Sequence, residues 1–453
     1  VAVNDDNNIV RLAALQDAGG VAPADEELAY AVQCSLEDFF CYMPMRNYIY
    51  APTRDAWPAA SVDARVAPVL GPNGKSIKPS IWLAENRAVE QMTWAPGEPM
   101  LVRDRLIADG GWIKRPGNVC FNLYRPPILV PGDASLADPW LAHVDRVYPS
   151  DADHLIKWLA HRVQRPQEKI NHALVLGGKP GIGKDTLLEP VKHAVGPWNV
   201  SEVSPQHMLG RFNGFLKSVI LRVSEARDLG NIDRFKFYDH MKAYIAAPPD
   251  VLRVDEKHLR EYPVPNCCGV VLTSNHKTDG LFLPADDRRH YFAWSDLAKE
   301  SFPDGYWIRL WRWYDAGGDR HVAAYLTELD ISGFDPKAPP PKTVAFWAIV
   351  DANRAPEDAE LADVLDDLGT PDAVTIRTIA DKAQGDFAEW LRDRKNRRVI
   401  PYRMERCNYV PVRNKDADDG LWKIRDKRQA VYARDALTLA ERIRAARKLT
   451  NSS

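Results

Sequence analysis

Along the chain the spacing of hydrophobic and polar positions changes period several times. Residues 1 to about 50 read as helical, with acidic patches, and end on the aromatic cluster Phe39, Phe40 and Tyr42. From Tyr48 to Pro131 short apolar runs (IWLAEN, EQMTW, WIKR, VCFNLYRPPIL) alternate with prolines and glycines, the pattern of a small β-rich unit. Lys114, Arg115 and Arg125 stand beside these runs and could touch a strand of DNA, though basic residues beside strands are more often ordinary solvated charges. From Asp151 the period becomes helical, because Leu155, Trp158, Leu159 and Val163 recur at three and four residues and so share one face. Apolar strands follow at Ala173–Leu176, within FLKSVILRVSEARD (215–228) and at Gly269–Thr273, each bounded by polar or helical segments.

The C-terminal third opens with KAPPPK (337–342), a stiff linker, since consecutive prolines favour an extended chain. Residues 351–372 are acidic and read as a helical spacer. Then the sign reverses, with 18 Lys plus Arg against 8 Asp plus Glu between Leu391 and Leu449. A helix-like segment, Arg397 to Cys407, precedes YVPVRN, the turn KDADDG and LWKIRDKRQAVYAR, which reads as a basic β-hairpin. A helix before a basic hairpin is how a winged-helix module meets a duplex, with Arg413, Lys415 and Lys423 approaching phosphates.

Composition narrows the picture modestly. The 453 residues suit two or three domains, and 45% hydrophobic with 27% charged residues is ordinary for a globular chain able to bury a core. A net charge of -2 argues against a uniform coat of nucleic acid, so binding must rest on segregated charge. The six cysteines form no C-x-x-C pair and lack histidines at zinc spacing, which points to a reducing cytosol. No apolar run approaches membrane-spanning length, and VAVNDDNN does not read as a signal sequence.

The chemistry concentrates in ALVLGGKPGIGKDTLL (173–188), a strand, a glycine-rich loop and a helix. Gly178, Gly181 and Gly183 allow successive N–H groups to turn around an anion, the following helix points its positive end there, and Lys184 adds a full charge. Where the pattern wants a hydroxyl for magnesium stand Asp185 and Thr186, and either oxygen could reach the metal. Glu225 closes the next apolar strand, where a nucleotide hydrolase holds the carboxylate that orients water and metal, although Ser224 fills the place of a first acid and Arg222 interrupts the run, leaving an ordinary edge strand as the alternative. RVDEKHLREYPVPN (253–266) reads as a polar excursion between core strands, with Lys257, His258 and Arg260 at its tip: a phosphate-gripping pore loop or a solvated hairpin. Asn275 ends the strand VVLTSN, where its amide can bond both water and a terminal phosphate. Arg288 and Arg289, in LPADDRRHYFAW, could complete a neighbouring subunit's site or pair with Asp286 and Asp287.

Taken together, these elements resemble the superfamily 3 DNA helicases, AAA+ proteins of viral and phage replication, and especially the helicase part of phage and plasmid primase-helicases (D5-like, DUF5906-like). GKPGIGKDT corresponds to Walker A, VILRVSEA to Walker B, the 253–266 excursion to the B-prime hairpin, VVLTSN to the sensor and DDRRHYF to the arginine-finger region; FNLYRPP (121–127) and WLAHRVQRP (158–166) add to the likeness. The resemblance implies an α/β fold with an AAA+ P-loop core around a central parallel sheet at 131–336, preceded by an N-terminal α+β region at 1–130 and followed by a helical spacer and winged-helix-like DNA-binding domain at 343–453. It further implies Lys184 on the phosphates, Glu225 as catalytic carboxylate and metal ligand, Asn275 as sensor and Lys257 as the DNA-gripping tip. Arg288 is preferred as finger, because Phe292 and Trp294 follow four and six residues later, with Arg289 the alternative. The implied activity is ATP- and Mg2+-dependent movement of a homo-oligomeric, hexameric ring 3′ to 5′ along single-stranded or forked DNA, in a prokaryotic host's cytoplasm and of phage or mobile-element origin. The chain opens on Val1 and not on methionine, which suggests that something upstream was cut away; the resemblance implies a primase or polymerase domain there. The rivals are an ATP-switched replication initiator or nucleoprotein scaffold that does not unwind, and a small-molecule P-loop kinase.

Overall fold

The computed structural model describes residues 34–224, 234–275, 283–352 and 356–451. It divides into two units, one holding residues up to 280 with 288–343, the other 281–287 with 344–453.

Of the segment expected to be helical up to about residue 50, residues 1–33 lie outside the described residues; from there the chain makes one 3-10 turn, Leu36–Asp38, and then a strand hairpin in place of the expected helix. Phe39–Tyr42 pairs antiparallel with Asn47–Tyr50, which pairs in turn with Asp55–Trp57. The reason is local: FFCY and NYIY are aromatic-rich, suit a pleated surface and flank a turn at Pro44 to Arg46. Phe39 then packs on Tyr50 and Trp57 at centroid distances of 5.0 and 5.3 Å. The β-rich expectation for the next segment holds, with Gln91–Thr93, Leu101–Ala108 and the twelve-residue Gly111–Asn122 forming a second sheet centred on the last.

The rest of this unit is organised by a five-stranded sheet, all of its pairings parallel: β1 (Ala173–Gly178), β2 (Val200–Val203), β3 (Ile220–Val223), β4 (Gly269–Ser274) and β5 (His290–Ser295), in the spatial order β2-β3-β4-β1-β5. Every residue of β1 and β4 is buried, as expected of strands covered on both faces. The helix Ala152–Gln164 buries Leu155, Trp158 and Leu159, the stripe its spacing predicts. With the helix Lys184–Val195 it packs against Asp319–Glu328. Sequence reasoning allowed β3 to be an edge strand on account of Arg222; instead β3 lies between β2 and β4, and Arg222 is buried.

In the second unit the acidic stretch forms the helix Pro356–Asp367, whose Leu361 and Leu365 join Ile379, Phe387 and Met404 in one core. The stretch expected as a spacer is therefore a packed part of the unit. The helix Ile400–Arg406 is present, but the basic hairpin differs from expectation. Tyr409–Val412 pairs with the returning Val431–Arg434, which also pairs with Ala373–Thr375, while Trp422–Ile424 and Lys427–Gln429 form a separate hairpin. Its turn residues Arg425 and Asp426 have φ of 48° and 58°, the hand that continues strand twist through a two-residue loop.

Candidate phosphate cleft and nucleic-acid surfaces

The open sheet reverses direction at β1: the chain leaves it for the far edge, returns through β3 to β4, and then places β5 on its other side. Ligands of open α/β sheets bind outside the carboxyl ends of strands at such a reversal. At that end of β1, Gly178, Gly181 and Gly183 have φ of 146°, 81° and 88°, values that exclude most side chains, and the helix starts at Lys184. A cleft of about 660 Å³ opens here, lined by Gly181, Gly183, Lys184, Asp185, Thr186 and Asn275 among others.

Lys184 is 7% exposed. Its Nζ donates to Gly178 O at 2.7 Å, Lys179 O at 3.0 Å and Asn275 Oδ1 at 2.9 Å. The last contact follows from register, since Gly177 of β1 sits opposite Ser274 of β4, so Asn275 emerges beside the loop. Burial holds the Lys184 ammonium below its ordinary pKa, while neighbouring Asp185 pulls it back up. An incoming anion would therefore meet a cation whose present partners are neutral dipoles.

The carbonyls around the loop are pinned from outside it. Tyr148 OH donates to Gly177 O at 3.1 Å, Trp140 Nε1 to Leu187 O at 2.9 Å and Tyr314 OH to Thr186 O at 3.1 Å. His143 Nε2 lies 3.1 Å from Gly183 O and its Nδ1 2.9 Å from Tyr306 OH. A carbonyl can only accept, so Nε2 carries the proton and Nδ1 accepts from Tyr306; burial, which lowers the His143 pKa, favours this neutral form. None of these residues was singled out from the sequence. Their signal, isolated aromatics and a histidine 25 or more residues from the motif, is not distinguishable there from ordinary core positions.

Arg222 is the other addition. Opposite Glu202 in the β2–β3 register, it reaches Asp185 Oδ1 at 2.5 Å and Glu202 Oε2 at 3.4 Å. Two departures noted in the sequence, an acid where a hydroxyl was wanted and an arginine inside an apolar strand, thus form one ion pair. For a magnesium ion the donor set is lean: the described residues contain no group of three or more His, Cys, Asp or Glu placed to hold a metal. It does fit the usual manner of magnesium, bound through one carboxylate, phosphates and water, with Asp185 or Thr186 as the protein ligand.

A family model described as "Family of unknown function (DUF5906)" matches residues 176–289. No curated protein matches the sequence. Among solved structures the chain is similar to the apo NrS-1 C-terminal region (305–718), with TM-score 0.58 and 14% identity over 87% of this chain and 95% of that one. A second apo form of that region gives 0.56 and 15%. The JCV helicase is found at TM-score 0.29 and 11% identity, over 52% of this chain and 65% of that one. The first two likenesses establish a shared fold across most of this chain.

Of the remaining expected site residues, Glu225 lies outside the described residues. Arg288 is exposed and Arg289 half-buried, with Arg289 O accepting from Ala173 N–H at 2.8 Å; neither lines the cleft of its own chain. The excursion is a hairpin, Val251–Val254 against Tyr262–Pro265, with Lys257, His258 and Arg260 all exposed at its end and His258 at φ 65°. It is anchored along its length: Arg253 pairs with Asp109 at 2.8 Å and Thr93 Oγ1 donates to Pro263 O at 2.8 Å on the strands, and Lys217 pairs with Glu256 at 2.7 Å just before the tip. The tip is thus presented on a fixed stem.

In the second unit Arg413, Lys415 and Lys423 are exposed, Lys423 pairing with Asp426 at 3.1 Å. The arginines of the helix Ile400–Arg406 are otherwise employed. Both Arg403 and Arg406 grip Asp358, the second at 2.7 Å, and Arg403 also meets Glu357 at 3.3 Å. Cationic surface on this side of the unit comes instead from Arg394, Lys395, Arg397 and Arg398, all exposed.

Proposed function

We propose that the chain is an ATP-driven DNA helicase motor of the superfamily 3, AAA+ class, working as a ring of like subunits, hexameric by the resemblance, that moves 3′ to 5′ on single-stranded DNA. The observation that carries this reading is the Lys184 ammonium, buried at the mouth of a glycine loop and bonded across two neighbouring parallel strands to Asn275. On nucleotide binding, Lys184 exchanges the carbonyls of Gly178 and Lys179 for phosphate oxygens, a charge-assisted contact stronger than the neutral ones it replaces. Asn275, released with it, is positioned to bond the terminal phosphate or the attacking water.

In this proposal Gly178, Gly181 and Gly183 shape the cradle and Asp185 or Thr186, with Glu225, would hold the magnesium that neutralises developing charge on the phosphates. Glu225 orients water. Arg288, exposed and outside its own cleft, supplies the guanidinium to the next subunit's nucleotide, with Arg289 as the alternative. Lys257, His258 and Arg260 grip the strand inside the ring, and the basic surfaces of the second unit, Arg413, Lys415 and Lys423 included, bind duplex or fork phosphates.

A strand-displacement assay on forked DNA tests this, with Lys184→Ala as control. Displacement that requires ATP and falls at least about 100-fold in the variant is expected, the scale of losing a group that stabilises the transition state. DNA-stimulated hydrolysis with no displacement by the wild-type chain would instead make it an ATP-switched initiator or scaffold. Hydrolysis by a monomer, indifferent to DNA, would remove the ring and Arg288 from the account.

A further inference from the structure

The cleft has one feature that phosphate chemistry leaves unexplained. Apart from Pro180 in the loop itself, its lining is polar or glycine except on one side, where Trp307 and Trp311 enter from the helix Tyr306–Trp313. Four residues apart, they lie on the same helical face. Trp307 is committed to packing: its ring meets Phe302 at 4.7 Å and Tyr306 at 5.1 Å, and its Cη2 would lie 2.6 Å from a Cβ added to Gly183. Trp311 is held along one edge by Tyr314, at 5.6 Å and 83°, and otherwise stands 42% exposed in the cleft. Tyr314 also bonds Thr186 O, so the ring that steadies Trp311 also steadies the phosphate helix.

A large aromatic face held open to water beside an anion cradle suits a flat apolar ligand linked to phosphates. We propose that Trp311, backed by Trp307, is the stacking platform for the nucleobase, and that the site consequently accepts nucleoside triphosphates with little regard to base. This rests on the reading that Lys184 holds the triphosphate. The tolerance follows from the other lining groups. In the proposed function Asn275, which meets Lys184 in the empty cleft, is committed to the terminal phosphate or the attacking water, and Arg222 holds both Asp185 and Glu202. Among the described lining residues no further amide or guanidinium side chain is present to read a base edge. Stacking by itself distinguishes bases weakly, because every base has a π-face.

Calorimetric titration of the full chain with ATP, GTP, CTP and inorganic tripolyphosphate tests both parts. Trp311→Ala should weaken ATP binding about ten-fold or more, leave tripolyphosphate binding unchanged, and be largely rescued by Trp311→Phe. The wild-type chain should bind ATP and GTP within about five-fold of each other, with CTP somewhat weaker. Equal weakening of ATP and tripolyphosphate, no weakening at all, or a preference for one base above about 50-fold would overturn the inference. Lys184→Ala separates the two levels. If it abolishes ATP binding while Trp311→Ala does nothing, the platform fails and the phosphate reading stands; if it leaves ATP binding intact, both fall.

Discussion

Lys184 and Arg222 in the sheet-bearing unit are buried and meet several fixed partners each, whereas Arg413, Lys415 and Lys423 of the second unit stand in solvent, and Lys423 meets an Asp426 that is itself 93% exposed. The two settings suit different tasks. A buried cation with neutral partners, as Lys184 is, is pre-oriented and gains most when a phosphate replaces a carbonyl, whereas Arg222 is already matched by two carboxylates. An exposed cation gains little from any one contact, but acts at a distance and is screened by salt. Position in the fold, more than residue type, decides which kind of work a lysine or arginine performs. Within the second unit a milder form of this division recurs between Arg403, half-buried against the buried carboxylate of Asp358, and the exposed run Arg394 to Arg398.

The comparison can be broken most directly at Asp358. Asp358→Ala would leave Arg403 and Arg406 facing each other around an empty site, and denaturant unfolding of the second unit should show a loss of about 3 kcal/mol, the scale for removing one partner of a buried ion pair. An effect below about 0.5 kcal/mol would mean that these arginines are as free as the surface ones. Next is Gly183→Ala, which requires a left-handed backbone and intrudes on His143 and Trp307, both 2.6 Å from the new methyl. About 2 kcal/mol of stability should be lost, with nucleotide binding weakened as the cradle shifts.

The pH dependence of the first unit sharpens the contrast from the side of neutral groups. Burial lowers the pKa of His161 and His172 to about 3 and of His154 to about 4, and His154 and His172 share a bond of 3.0 Å between their Nε2 atoms. The unfolded chain takes up these protons near pH 6.5 and the folded chain does not, so stability falls as pH drops from about 6.5 towards 4 and is flat above. A thermal midpoint several degrees lower at pH 5 than at pH 7 is expected, and His154→Asn with His172→Asn should flatten the slope. The smallest effect belongs to the exposed cations. Lys415→Ala and Lys423→Ala should leave stability within about 0.5 kcal/mol, yet each should reduce the salt dependence of duplex binding by about 0.9 log unit per decade. Unchanged salt slopes would remove these two from the DNA surface.

Much of the first unit was legible in advance. The glycine loop, the helix that follows it, the stripe Leu155, Trp158 and Leu159 and the 251–265 hairpin all depend on neighbours within a few residues, and local backbone preference and spacing record such things directly. The helical expectation failed over residues 39–50 because no long-range partner was visible to show that FFCY and NYIY lie side by side. The basic hairpin was misjudged for the same reason: Tyr409–Val412 finds Val431–Arg434 across an inserted hairpin, a pairing that no local run specifies.

By itself the sequence determined that a glycine loop at 178–183 hands over to a helix beginning with Lys184 and that cationic charge gathers towards the C-terminus, since glycine dihedral freedom and counted charge are properties of the residues themselves. Only the tertiary structure decided what surrounds that loop. Parallel register delivered Asn275 to Lys184 across 91 residues, central burial in the sheet turned Arg222 from a blemish in a strand into the partner of Asp185, and helix packing brought Trp307 and Trp311 to the same cleft. Those contacts are selected by the joint burial of many distant apolar groups, and that selection is written in no single stretch of the chain.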